Sequence, residues 1–396
     1  MDAKKVLIYE PSVEGHHVGW LRFITEDLLG AGLPLTLALD TRREAMERIR
    51  GQMGELLPRV EVIPAFSPEG ARARANSPDS VAACLEESGA ALAFLAHFND
   101  IASAMLRRAA LGMMPDERLR GRLGGIYFRP LFLRASVFSP NQAMKKAGFR
   151  RLIKNGWLNP VLMVESLLCD IAKKKYPGAP IHLLADPYPE NFHADRAASR
   201  RQFNLPDGKF VMLFYGGGYK RKGLHLVARA MLNMSTSGRA FLLCAGVQPD
   251  DAGLARDLEK LRSQGRAEIV NRYVSAEEEK QLFAACDMVL LPYIRHPVSS
   301  AVLSRAAGAG KPVLASDEYL IGHVVRQFDM GMVFPTGNVP ALQQAIEHAA
   351  SASSEELAKW QAGAQVCAKS CSRDVFRSQL VAAVESAFQS SALSQK

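Results

Sequence analysis

The chain has 396 residues, 48% of them hydrophobic and 22% charged, with a net charge of +9. That length suits two domains of about 200 residues each better than one core. It contains no apolar run of about 18 residues, which excludes a membrane-spanning helix, and its N-terminal segment lacks a secretory h-region. The six cysteines (Cys84, Cys169, Cys244, Cys286, Cys367, Cys371) are scattered. Cys367 and Cys371 have no second pair or nearby histidine to complete a zinc site, so reduced thiols in a cytoplasmic protein are expected.

In chain order, the first half opens with a strand at Lys5–Tyr9, a turn at Glu10–Gly15, a helix at His17–Leu29 and a strand at Leu35–Leu39. Further strands are predicted at Val60–Ile63, Gly125–Phe128 and Ile181–Leu184. Between Arg118 and Lys154 stand ten basic residues and no acidic one, interleaved with apolar residues such as Phe128, Phe138 and Phe149. A basic amphipathic stretch of this kind suits an anionic membrane surface, an acidic substrate or a solvated face. No zinc-finger, RRM or KH signature points to nucleic acid. Residues 185–207, rich in Pro, Asp, Asn and Arg, read as the interdomain connection.

The second half alternates more regularly. Strands are expected at Phe210–Tyr215, Ala240–Ala245, Glu268–Val270, Met288–Leu291 and Pro312–Ala315. Helices fall between them at Leu224–Met234, Asp251–Ser263, Ala276–Cys286 and Ala301–Ala307, followed by Val339–Ser351. Ser275 with Glu278 forms a capping box at the start of one of them. Two terminal helices near Ser354–Cys371 and Asp374–Phe388 close the chain. Strand–helix alternation throughout argues an α/β fold with parallel sheets. The division expected is 1–190, 191–375, and a terminal helix and tail at 376–396.

The most telling segment is FVMLFYGGGYKRKG, Phe210–Gly223. An apolar strand runs into Gly216, Gly217 and Gly218, then Lys220, Arg221 and Lys222, and Gly223 opens a helix. Glycines let backbone N–H groups approach a phosphate while the basic side chains neutralise it. Neither GxxxxGK[ST] nor GxGxxG is matched, since Gly223 follows Lys222 and Arg221 stands where a third glycine would be. A plain turn with solvated lysines remains the other reading. Three loops fall at strand ends, where ligands of such folds bind: this one, Tyr293–Ser300 and Pro11–Gly15.

The second half resembles a GT-B glycosyltransferase of the family-4 type over about residues 205–350. The segments carrying the likeness are FYGGGYKRKGLHLVARAM, VNRYVSAEEEKQLFAACDMVLLPY, SSAVLSRAAGAGKPVLAS and GMVFPTGNVPALQQAI, with Ala309–Ser316 the tightest match. The resemblance implies two Rossmann-like domains with parallel sheets facing across a cleft. It also implies sugar transfer from a UDP- or GDP-linked donor to a saccharide or lipid-linked acceptor, retaining and without a metal or cofactor. Lys222 matches the family's phosphate-binding lysine. The arginine expected after Gly216 is Gly217, which leaves Arg221 or Lys220 to supply that charge. The family's E-x7-E pair falls on Pro297 and Arg305, so both carboxylates are missing.

In their place His296, Ser299 and Ser300 lead into a helix whose N-terminus suits a diphosphate. Arg305, one to two turns into that helix, can face the nucleotide or form a surface ion pair, and for the serines simple capping is equally open. Tyr273 stands where the family holds the nucleotide base, or packs. Gly15 permits close approach of donor or acceptor, and His16 or His17 can position or deprotonate an acceptor hydroxyl; His17 is the residue chosen as catalytic, with Lys222 and Arg221. His97 reads as a core histidine. The competing reading is a GT-B-shaped binding or scaffold protein without activity. The expected location is the cytoplasm or the inner membrane face, with residues 118–154 as the membrane contact.

Overall fold

The computed structural model describes residues 4–66, 77–134, 139–235 and 238–393. They form two units, residues 1–184 with 376–396, and residues 185–375. Phe138 of the basic stretch lies outside the described residues.

In the first unit, β1 (Val6–Glu10), α1 (His17–Gly30), β2 (Leu35–Leu39), α2 (Arg43–Met53) and β3 (Glu61–Pro64) come first. They are followed by α3 (Pro78–Ser88), β4 (Leu92–Leu95), α4 (Asn99–Ala110), β5 (Leu123–Ile126), α5 (Pro140–Lys154), β6 (Leu158–Met163), α6 (Ser166–Lys175) and β7 (Ile181–Leu183). The seven strands make one parallel sheet in the order β3-β2-β1-β4-β5-β6-β7. β1 is buried at all five positions, as expected of a strand covered on both faces. The strand expected at Gly125–Phe128 ends at Ile126; Tyr127 N still donates to Leu162 O of β6, and Phe128 N turns to Asn99 Oδ1. Strands β4 and β6 were not anticipated. Four apolar residues in β4 read equally as helix, and Asn159 and Pro160 interrupt the pattern of β6.

The second unit begins at Ala185, and α7 (Arg196–Gln202) occupies part of the stretch expected to be linker. Then come β8 (Phe210–Tyr215), α8 (Leu224–Asn233), β9 (Ala240–Ala245), α9 (Ala252–Ser263), β10 (Ala267–Val270), α10 (Ala276–Ala285) and β11 (Met288–Leu291). After them follow α11 (Ala301–Gly308), β12 (Val313–Ser316), α12 (Tyr319–Gln327), β13 (Gly331–Phe334), α13 (Val339–Ser351) and α14 (Ser354–Ser370). The parallel sheet runs β10-β9-β8-β11-β12-β13. Alternation on β8 divides two cores: Val211 and Leu213 pack on one face of the sheet, Phe210, Met212 and Phe214 on the other.

Helix α15 (Arg373–Leu393) starts in the second unit and belongs to the first from Phe376 onward. Phe376 is fully buried, edge-on to Trp20 with centroids 5.5 Å apart, and Arg377 Nε donates to the buried Asp27 at 2.9 Å. In both sheets the strand order reverses between the first strand and the fourth, β1/β4 and β8/β11. Such reversal points open a crevice beyond the carboxyl ends of the strands, and both candidate sites lie there.

Candidate functional site

In the first unit the site is built around Glu10, the last residue of β1 and only 1% exposed. The chain turns outward after it through Gly15, which takes the left-handed conformation (φ +59). His17 then begins α1. Its Nδ1 donates to Glu10 Oε1 at 3.0 Å, and His97, in the loop after β4, donates from Nδ1 to Glu10 Oε2 at 2.5 Å. The two rings stack 3.8 Å apart with a 28° tilt, and Phe128 stacks on the other side of His97 at 4.7 Å. His97 is buried, as a core histidine would be, yet it shares this polar cluster.

Burial opposes charge on Glu10, but the hydrogen bonds and charges of His17 and His97 outweigh it and hold the carboxyl below its usual range. Burial likewise works against protonation of His17, and the Glu10 hydrogen bond and charge, with Asp100 and Glu14, override it and raise the imidazole. His16 is pushed down to about 4 by burial and by the neighbouring His97 and His17. With both Nδ1 hydrogens committed to Glu10, the neutral rings of His17 and His97 each present an Nε2 lone pair. The Nε2 of His97 has no partner among the described residues. Ligand atoms of His16, His17 and His97, and of Glu10, His17 and Asp100, lie within 4.8 Å of one another.

In the second unit β8 delivers the glycine turn. Gly216 lies in the left-handed region (φ +99), and the Lys222 ammonium folds back over it: a Cβ there would stand 2.7 Å from Nζ. Gly223 (φ +77) admits no side chain, because a Cβ would lie 2.0 Å from the Pro292 carbonyl oxygen. This close approach ties the basic turn to the loop after β11, where Ile294 N donates to Arg221 O at 2.8 Å. Lys222 Nζ sits 5.7 Å from the Tyr293 ring centroid, and burial, then Arg221, lowers its pKa.

Arg221 Nη1 donates to His296 Nδ1 at 2.9 Å, and His296 Nε2–H donates to the Ser299 carbonyl at 3.2 Å. Those two bonds fix a neutral Nε2–H imidazole. Ser300 is the N-cap of α11 but makes no capping bond; its hydroxyl turns to Tyr293 Oη at 3.5 Å, leaving the helix N–H groups uncapped by it. Gly216, Gly217, Gly218, Arg221, Lys222, His296, Ser299 and Ser300 thus surround the ends of β8 and β11. Tyr273 stands apart on the loop after β10, 84% exposed, so it does not pack.

Arg305 forms an ion pair: its Nε donates to Glu279 Oε1 at 2.6 Å, and Tyr215 also hydrogen-bonds that carboxylate. Glu279 and Asp186 are carboxylates that sequence reasoning missed. Burial pushes Asp186 up to about 6, against the opposing effects of Arg305 and of a hydrogen bond from Ser299. The sign follows from that shift: ionisation in the unfolded chain begins near pH 4, so the folded form loses stability up to about pH 6 and is level above. Asp186→Asn is expected to remove this loss, being about 1–3 kcal/mol more stable relative to wild type at pH 8 than at pH 4 by urea denaturation. A constant difference across that range would contradict it.

Residues 195–365 match the model of the family described as Glycosyl transferases group 1. The second unit is a glycosyl transferases group 1 domain. The chain carrying it is therefore an enzyme of the transferase class, on a GT-B fold. Anabaena HepE, solved in complex with UDP, is 15% identical, with a TM-score of 0.70 over 96% of this chain and 100% of its own. WaaG, a glycosyltransferase involved in lipopolysaccharide biosynthesis, is 14% identical, with a TM-score of 0.63 over 96% and 98% of the two chains. Sucrose-phosphate synthase from Thermosynechococcus elongatus is 15% identical, with a TM-score of 0.62 over 99% and 98%. No curated protein matches the sequence.

Proposed function

We propose that the protein transfers a sugar from a nucleoside-diphosphate sugar, UDP- or GDP-linked, to a hydroxyl of a saccharide or lipid-linked acceptor. The observation that carries this reading is the convergence of Lys222, Arg221 and the N-terminus of α11 at the β8/β11 reversal point. Positive groups fixed in place before reaction stabilise charge growing on a departing diphosphate without reorganisation. HepE, similar in fold, was also solved with UDP and glucose, and WaaG's link to lipopolysaccharide synthesis favours a lipid-linked acceptor. Tyr273 is read as the face for the nucleotide base. Retention of anomeric configuration and independence from metal belong to the same proposal, with Lys222 and Arg221 in the role a cation would otherwise fill.

In the first unit His17 takes the acceptor proton on Nε2, while Glu10 holds its Nδ1–H and stabilises the imidazolium that forms. His97 Nε2 accepts a second hydroxyl. The Arg305–Glu279 pair occupies the place of a lost carboxylate, and this is what favours the inactive binding-protein reading as the rival.

One screen separates the two. Calorimetry and thermal shift against UDP, GDP, ADP and TDP and their sugars should give a hit with a uridine or guanosine diphosphate. At a hundred times Kd that ligand stabilises the fold by about 2.7 kcal/mol. Folded protein that responds to none of them would favour the rival reading.

A further inference from the structure

The basic stretch seen in the sequence separates in the structure into two parts. Arg118 pairs with Asp116 and Glu86, Arg122 donates to the carbonyls of Ala90 and Ala91, and Arg134 reaches the buried Glu165. Those cations serve local structure. Lys145, Lys146, Arg150 and Lys154 do not: they lie on α5, whose fifteen residues include no acid, and have no ion-pair partner among the described residues.

The packing of α5 adds to them. At Gly148 a Cβ would lie 1.8 Å from the Leu106 carbonyl oxygen, so the helix rests directly on the backbone of α4. Arg151 Nη1 donates to Ala109 O at 3.1 Å and holds that crossing. One edge of α5 thereby sets Lys145 beside Arg107 of α4. The other sets Lys146 and Arg150 beside Lys175 of α6. Lys173 and Lys174 precede it, and Asp170 is the one acid on α6. Like charges gathered across three helices are unfavourable until an anion joins them. Past the end of α4, Leu111 is 67% and Met113 46% exposed.

We propose that the α4–α5–α6 face of the first unit docks on an anionic lipid surface, its cations on headgroup phosphates and Leu111 and Met113 in the acyl boundary. Clustered cations with flanking apolar side chains have this complementarity, and each cation contributes about fivefold to partition. The surface bears on a lipid-linked acceptor but does not rest on the transfer reaction, since the test needs no substrate.

The full chain is sedimented with phosphatidylcholine vesicles, with and without phosphatidylglycerol, at low and high salt. It should pellet with the anionic vesicles only, and be released by salt. K145Q/K146Q/R150Q should lower the partition at low salt by about 100-fold, and Leu111→Ser/Met113→Ser should lower it at low salt as well. R256Q/K260Q, on α9 of the second unit, should bind like wild type, and unchanged melting temperatures establish that the variants fold. Failure of the wild type to pellet at low salt would overturn the proposal. So would wild-type partition by the α5 triple variant, or retention on duplex DNA with none on vesicles.

Discussion

His17→Gln is expected to lower kcat by about 10²–10⁴-fold, the usual contribution of a positioned general base, with little change in nucleotide affinity. The geometry gives the reason. Glu10 is buried, ionised and bonded to Nδ1 of His17, so it sets the tautomer and makes Nε2 more basic. The pH profile carries the sign. A base must be neutral to act, and Glu10 raises the imidazole, so kcat/KM falls as pH drops through a value above the ordinary histidine pKa of about 6.5. Glu10→Gln keeps an acceptor for Nδ1–H but removes the charge, so this acid limb should move to lower pH. A rise in KM with unchanged kcat in His17→Gln would reduce the residue to positioning. An unmoved limb in Glu10→Gln would remove the coupling.

Lys222→Ala is the second large effect, about 10–150-fold in kcat/KM or donor affinity, because a charge-assisted contact to a diphosphate is worth about 1.5–3 kcal/mol. Lys222 is half-buried over Gly216, beside the Tyr293 ring, where the low dielectric strengthens its interaction with phosphate. Arg221 is held by His296 and contributes from the surface. Its replacement should therefore cost less than that of Lys222, and both losses should appear in calorimetric titration with the nucleotide alone. Turnover and affinity that survive in Lys222→Ala would place the diphosphate elsewhere.

The second unit was the more legible in sequence. Its strands are short apolar runs separated by helices of clear period, and β8, β9 and β11 fall where the pattern places them. In the first unit β4 and β6 were hidden, one by its brevity, the other by Asn159 and Pro160. The glycine turn was legible because three glycines and three cations between a strand and a helix are rare in combination. Glu10, Glu279 and Asp186 did not, because a carboxylate in a strand end or a first helical turn looks the same whether it meets solvent or a buried partner. Arg305 shows the limit from the other side: its place in α11 is read from spacing, while the acid that faces it comes from α10, 26 residues earlier. The sequence does carry one sign of the first-unit cluster, Glu10 closing an apolar strand with His16 and His17 six and seven residues later.

Helix α15 has a consequence for how the molecule is made. Trp20 and Asp27 belong to α1, yet their partners Phe376 and Arg377 are made some 350 residues later. Residues 185–375, by contrast, are contiguous. On the ribosome the second unit therefore holds its whole set of contacts before the first unit does, although it is translated later. Until residues 376–389 emerge, the apolar seat around Trp20 stays open, and a nascent chain halted at residue 375 carries one closed core and one that still waits for its final piece.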